Sequence, residues 1–282
     1  MDQGTLIMDN QLIIAANQSR ELIEYDDDAH LSPEPKVSEI VLNENASLEL
    51  YVLQNVSNEA SIQREFKIKQ LADSRLKIVV ITFNGGDIKN TYRVDLDGEG
   101  ADTQVYGLYL IDKTQHVENH LKVNHNVPHC TSNEKFKGVL DDEATGIFNG
   151  HVYVAPNAQK TDAHQNNSNI ILTPKAKINS QPFLEIYADD VKCSHGTSTG
   201  QLDQEAMFYM RQRGISKANA RILLMYAFAA EVSNHIGNEM LHEHIDDMIK
   251  RRLRGELSSC ETCVLRCSHP KEYNFDIDYS KI

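Results

Sequence analysis

Tryptophan is absent from these 282 residues, and so is any run of apolar residues long enough to cross a bilayer. The longest, Ile222–Ala230, has about half the needed length. Positive charge is also short: 28 Lys and Arg face 41 Asp and Glu, a net charge of -13. That excludes a general nucleic-acid binder, which needs clustered cations to neutralise phosphates. No G-x-x-x-x-G-K-[ST] occurs, so no nucleotide site of the P-loop kind is expected in this chain. Gly98-Glu99-Gly100 precedes a strand pattern rather than a helix, which argues against a dinucleotide fingerprint. No charged start followed by a long apolar stretch suggests a leader, since Leu12–Ala16 is far too short. The five cysteines, an odd number without a leader, read as reduced thiols of a cytoplasmic protein that contacts neither membrane nor nucleic acid.

Helical periodicity is missing as well across the first ninety-odd residues, which excludes most βαβ architectures. Short apolar–polar alternations stand in its place, such as Leu48–Leu53, Phe66–Ile68 and Leu76–Ile81, separated by turn formers such as Asn43-Glu44-Asn45 and Asn84-Gly85-Gly86-Asp87. The pattern continues through Tyr92–Leu96, Val105–Leu110, Gly146–Phe148, His151–Val154 and Asn169–Leu172. Strand after strand without a helix predicts a mainly β body: a sandwich, a barrel or a parallel β-helix. Asn and Gln crowd residues 157–169, as they do where coils stack amides in ladders, although no regular sequence period is visible.

After Gly200 the pattern turns helical. Asp203 is placed to cap a helix through about Arg213, with Gly214 as its stop, and Ser216 to cap a second ending near Ile236-Gly237. Asn238 caps a third, with Lys250, Arg251, Arg252 and Arg254 at its C-terminal end. Three helices of this length carry more apolar surface than they bury among themselves, so part of it should pack on the β body or on a partner.

Cys193 and His195 mark the join, in Leu184–Leu202 (LEIYADDVKCSHGTSTGQL). On an extended segment these two point the same way, and a thiolate beside an imidazole suits zinc, copper or an iron–sulfur cluster; a buried Cys and a loop His are the plainer reading. Gly196-Thr197-Ser198-Thr199-Gly200 fits the G-x-S-x-G elbow of a serine hydrolase, with Asp246 and His269 downstream, but the parallel α/β sheet which that fold requires is not readable. His116, His120, His125 and His129, with Cys130, crowd fifteen residues; a metal site or polar turn linings both fit. In the tail, Cys260, Cys263 and Cys267, then His269, have spacing that can hold zinc or a cluster.

Taken together, these residues resemble the SufB/SufD family of iron–sulfur cluster assembly proteins. The likeness runs along Gly98–Asp102, Gly107–Leu110, Val127–His129 and Gly150–Asn167, peaks in Leu184–Gly196, and continues through Phe208-Tyr209, Arg213–Ile215 and Ala227–Val232. YADDVKCSHG followed by GQLD is most like the SufD branch. The resemblance implies a right-handed parallel β-helix over residues 1–200, its coils running from about residue 40 with 1–39 as a lead-in. A C-terminal α-helical domain over 201–256 and a Cys-containing tail over 257–282 complete the expected layout. Family members usually carry a helical region ahead of the β-helix, whereas this chain opens almost directly in strands, and the CxxCxxxC tail is foreign to the family pattern.

The resemblance further implies a non-catalytic scaffold, paired with a SufB-like paralogue and docked to a SufC-like ABC-type ATPase, with room for a homodimer when the chain is alone. The implied cofactor is a transient iron–sulfur cluster shared with the partner, liganded by His195 with Cys193 beside it. The implied ATPase contact falls on Asp203–Ile236, where Asp203, Met207, Phe208, Tyr209, Arg213, Gly214, Tyr226 and Phe228 are the candidate residues. A serine hydrolase using Ser198, or a metal-binding β-helix protein of another system, are the alternative functions.

Overall fold

A computed structural model describes residues 5–8, 11–28 and 36–257 of the chain, with side chains except at 5–8 and 37. The cysteine tail at 260–267 lies outside these described residues. The first strands are β1 (Thr5–Met8), β2 (Gln11–Ile14), β3 (Ser19–Asp26), β4 (Lys36–Leu42) and β5 (Ser47–Asn55). Then come β6 (Ser61–Gln70), β7 (Arg75–Asn84), β8 (Asp87–Leu96), β9 (Asp102–Ile111) and β10 (His116–His125). The last are β11 (Thr131–Leu140), β12 (Thr145–Val154), β13 (Asp162–Ile171), β14 (Lys177–Ile186) and β15 (Lys192–Gly200).

Even-numbered strands from β2 to β14 stack in parallel as one sheet, with β1 antiparallel on its outer edge; odd-numbered strands from β3 to β15 stack in parallel as the other. Each coil therefore gives one strand to each sheet, and the molecule is a parallel β-solenoid. Its parallel pairing starts at Gln11, on β2, ahead of the onset near residue 40 expected from the sequence.

The repeat hidden in the sequence lies in the backbone of one corner. Asn17, Asn45, Asp73, Gly100, His129 and Lys160 all have positive φ, one per coil, immediately before the strands of the second sheet. Successive corner residues are 28 apart where Asn45 Nδ2 donates to Asn17 Oδ1. In five of these six corners the next residue is small and tucks under the coil: Ala46, Ser74, Ala101, Cys130 and Thr161 are all fully buried, whereas Gln18 in the first coil is exposed. At Gly100 (φ +76°) a Cβ would stand 2.4 Å from Asp73 Oδ1. His129 and Cys130 are thus one corner of the repeat, and the cysteine thiol donates to Gly98 O at 3.3 Å.

Inward residues fill the lumen. They are mostly apolar in the first coils (Leu50, Ile78, Phe66, Tyr92, Val94), but one polar network is buried among them. Arg64 grips Asp26 with two nitrogens, Nε at 2.8 Å, while Gln54 bridges Asp26 to Asn90 and Asn90 continues to Asn119. Both charges are about 95% buried, so removing one strands the other in a low dielectric. Arg64→Leu is expected to cost about 3–5 kcal/mol in urea unfolding.

Three helices follow: α1 (Gln204–Gln212), α2 (Lys217–Ser233) and α3 (Glu239–Leu253), capped by Asp203, Ser216 and Asn238 as the sequence predicts. Their apolar faces cover the C-terminal half of the second sheet's outer side, where Tyr51, Val79, Ile81, Phe83, Leu108 and Val139 meet Met207, Met225, Val232, Ile245 and Met248. That explains why β7 and β9 read as nearly continuous apolar runs: both of their faces are buried there. Arg252 pins α3 in place by donating to Phe83 O (2.5 Å), Asp112 Oδ2 (2.8 Å) and Leu110 O (3.2 Å).

Candidate functional site at the open end of the solenoid

The last coil, β14 and β15, is where the stack stops. Among the described residues each of these strands has a hydrogen-bonded neighbour on one side only, β12 and β13 respectively. Pro182, which has no N–H to give a ladder, sits in β14 as expected of an edge strand. The lumen opens here, leaving the inward-facing Ile186 40% exposed, while Phe183 and Tyr187, 56% and 57% exposed, stand on the sheet's outer face beside His151 and Tyr153. Tyr187 and Glu185 are hydrogen-bonded (2.8 Å), Glu185 also takes His151 Nε2 at 3.0 Å, and the His151 ring meets Phe183 edge-on. These contacts hold the Glu185 carboxyl below its usual range, Tyr187 foremost.

Register places the candidate ligands. Cys193 pairs with Ala163 and His195 with Gln165, so both are on the lumen-facing row of β15, on one face as i, i+2 spacing predicts. Cys193 is half-buried against the cluster of Val152, Val154 and Ala163, and burial pushes its thiol upward, so a metal must displace a proton to bind it. His195 is exposed. Thr197, next on the row, reaches across the lumen to Ser180 Oγ at 3.0 Å and ties the two sheets together at the rim. Among the described residues no three His, Cys, Asp or Glu side chains are grouped to hold a metal ion. Cys193 and His195 are therefore a pair of donors, open toward whatever covers the coil.

Behind His195 the lumen row changes character. It reads Leu22, Leu50, Ile78, Val105, then Glu134, Gln165 and His195. Glu134 is fully buried, and burial pushes its carboxyl up to about 8 despite the hydrogen bond that Gln165 Nε2 donates to Oε2. Glu134 and Gln165 were not among the residues singled out from sequence: in Asn133-Glu134-Lys135-Phe136 a glutamate reads as solvent-facing, and only the register turns it inward.

Other candidates are assigned different places. Residues 196–200 are the second half of strand β15, not a strand-to-helix elbow, and the Ser198 hydroxyl bonds to Ser168 Oγ at 3.0 Å. Ser194 Oγ is 2.7 Å from His164 Nδ1, and His164 Nε2 is 2.8 Å from Asp162, but they sit on the sheet's outer face with His164 more than half exposed. Such a surface lacks the enclosure that acyl transfer needs. His116 and His120 do share a face, each donating Nε2–H to one oxygen of Glu118 (2.9 and 2.8 Å), which keeps that carboxyl below its usual range. His125 points into the lumen instead, where burial lowers it to about 4, and His129 is the corner residue described above, not its strand companion.

On the helices, Asp203 is the α1 cap, Met207 is buried, Gly214 holds φ +84° after α1, Tyr226 hydrogen-bonds Asp246, and Phe228 lies under Lys137 Nζ at 4.1 Å. Phe208 and Tyr209 stand out at 63% and 60% exposure, with Arg213 stacked 5.1 Å over Tyr209. No helix among the described residues is long and apolar enough to cross a membrane.

The geometry is that of a β-solenoid whose terminal coil has no cap among the described residues, with a helical appendage docked on one sheet. Comparison with known proteins gives this class a family: residues 1–228 match the SufBD core domain of SUF system FeS cluster assembly. The chain belongs to that family and is most like its SufD members. It is 35% identical over 171 residues to the iron–sulfur cluster assembly protein SufD of Escherichia coli, covering 61% of this chain and 40% of that one. To a SufBD family iron–sulfur cluster assembly protein of Synechocystis it is 33% identical over 227 residues, 80% of this chain and 48% of the relative. A SufBD family protein of Mycobacterium leprae is 34% identical over 189 residues, 64% and 48% of the two chains. The chain spans a little under half the length of these relatives.

Proposed function

We propose that the chain is a SufD-like scaffold subunit of iron–sulfur cluster assembly in the cytoplasm, without catalytic activity of its own. In this reading the terminal coil pairs with a SufB-like paralogue, and the exposed face of α1 (Phe208, Tyr209 and Arg213) docks a SufC-like ABC-type ATPase. His195, with Cys193 beside it, offers ligands to the nascent cluster, which is cargo and not a resident cofactor. The observation that carries the reading is the open end itself: two inward-facing donors of borderline and soft character, on strands that have no partner on their outer edges among the described residues. Two ligands do not complete four-coordinate iron, so the rest must come from the partner or from sulfide. The isolated chain should hold no stable cluster there.

His195→Ala tests this. An exposed histidine usually changes stability by under about 0.5 kcal/mol, so melting temperature and partner binding should be unchanged while cluster assembly in a complementation assay falls sharply. If His195 only ties down the rim, the variant loses stability and activity together, and His195→Asn, a poor iron ligand that keeps a hydrogen bond, restores both.

A further inference from the structure

The row Glu134–Gln165–His195 contains an unanswered hydrogen-bonding question. Gln165 is 2% exposed, its Nε2 donates to Glu134 on the preceding coil, and its Oε1 is buried without a partner. A buried amide oxygen left unpaired costs free energy comparable to a lost hydrogen bond, and a native structure rarely leaves one so. Gly150 packs against this amide from the opposite sheet: a Cβ there would lie 2.3–2.7 Å from its atoms, so the group has little freedom to turn elsewhere.

The molecule's own ladders show which way such rungs run on this sheet. Asn84 Nδ2 donates backward to Asn55 Oδ1 (2.9 Å), Asn167 Nδ2 backward to Phe136 O (3.4 Å), and Lys77 Nζ backward to Glu49 Oε1 (2.9 Å). On the other sheet Asn124 and Asn126 also donate backward, to Asp95 (2.5 Å) and Asp97 (2.7 Å), while Asn90 donates forward to Asn119. Gln165 follows the backward direction with its amide nitrogen, leaving its oxygen as the acceptor for the next coil. The residue in register on that coil is His195, on a strand about 4.8 Å away.

We propose that Gln165 is a positioning residue for His195: its Oε1 accepts the Nδ1–H of the imidazole, and this leaves Nε2 facing out of the open end. This rests on the reading of His195 as a ligand. A ring nitrogen bound to a metal commonly has its other nitrogen donating to such an acceptor, which fixes tautomer and ring orientation, and loss of the acceptor typically lowers metal affinity 10–100-fold.

The test is the tautomer of His195 in the metal-free chain, read by long-range proton–nitrogen NMR with ¹⁵N-histidine. We expect one tautomer, Nδ1–H, in the parent and in Glu134→Gln, and a mixture in Gln165→Leu. Gln165→Glu, which keeps an oxygen in the same place, should restore the single form. A mixture in the parent chain overturns the proposal whether or not any variant folds, as does a Gln165→Leu protein whose His195 is unchanged. Ferrous iron added without oxygen to the chain with its paralogue should then bind 10–100-fold more weakly to Gln165→Leu. Should the tautomer respond as expected while the parent binds no iron through His195, the positioning contact stands and the ligand reading fails.

Discussion

Glu134→Gln is expected to stabilise the protein, and to do so more the higher the pH. The carboxyl is fully buried inside the solenoid, and burial raises it to about 8 from an ordinary 4.5. Below about pH 4.5 it is protonated in both folded and unfolded chains and exerts no pH-dependent effect. Between 4.5 and 8 the unfolded chain releases the proton and the folded one keeps it, so stability falls by about 1.4 kcal/mol per pH unit. Above 8 both forms are ionised and the loss is complete. Replacement by the neutral isostere removes this dependence and keeps an acceptor for Gln165, with a gain of about 3 kcal/mol at pH 7. For a chain of this size that is roughly 6–12 °C in melting temperature. The check is the difference in melting temperature between parent and variant from pH 5 to pH 8. A difference that stays flat shows that Glu134 is ionised in the fold and contradicts the account.

The second large effect is expected at the terminal coil. Phe183, on β14, and Tyr187, just past its end, are more than half exposed, and among the described residues this strand has no partner on one side. An aromatic that fills a pocket at the centre of an interface is the kind of residue whose truncation costs 2 kcal/mol or more, about thirtyfold in affinity. Phe183→Asp with Tyr187→Asp adds buried charge to that loss, so pairing with the SufB-like paralogue should vanish at micromolar protein. Folding should be unharmed, since both side chains are more than half exposed and their contacts, with His151, Tyr153 and Glu185, lie on the surface. Retained pairing would remove the terminal coil from the interface. Loss of the circular dichroism spectrum together with pairing would show the two aromatics to be structural.

The fold was legible where physical chemistry writes itself in residue types. Alternating short strands without helices predicted a β body, and Asp203, Ser216 and Asn238 announced the three helix starts found in the structure. The coil repeat was not legible, because it is carried by a backbone conformation that Asn, Asp, Gly, His and Lys all adopt at equivalent corners. The same cause made His129 and Cys130 look like metal donors when they are a corner residue and its buried neighbour. Cys193 and His195 were readable as one face of a strand from their spacing alone. That this face looks into an open lumen depends on how many coils precede it, a long-range property no local pattern records. Glu134 and Gln165 were invisible for the same reason; Phe183 and Tyr187 are of residue types that suggest a covered strand, while the outer face on which they stand is bare.

The central claim is that this chain is one half of a shared scaffold, completed by other chains. Native mass spectrometry of the chain co-expressed with a SufB-like paralogue and a SufC-like ATPase tests it most directly. The account predicts an assembly containing one copy of this chain, one paralogue and the ATPase, in which the Phe183→Asp, Tyr187→Asp variant loses the paralogue and keeps the ATPase. A chain that flies alone, or only with itself, while its intended partners assemble without it would contradict the account.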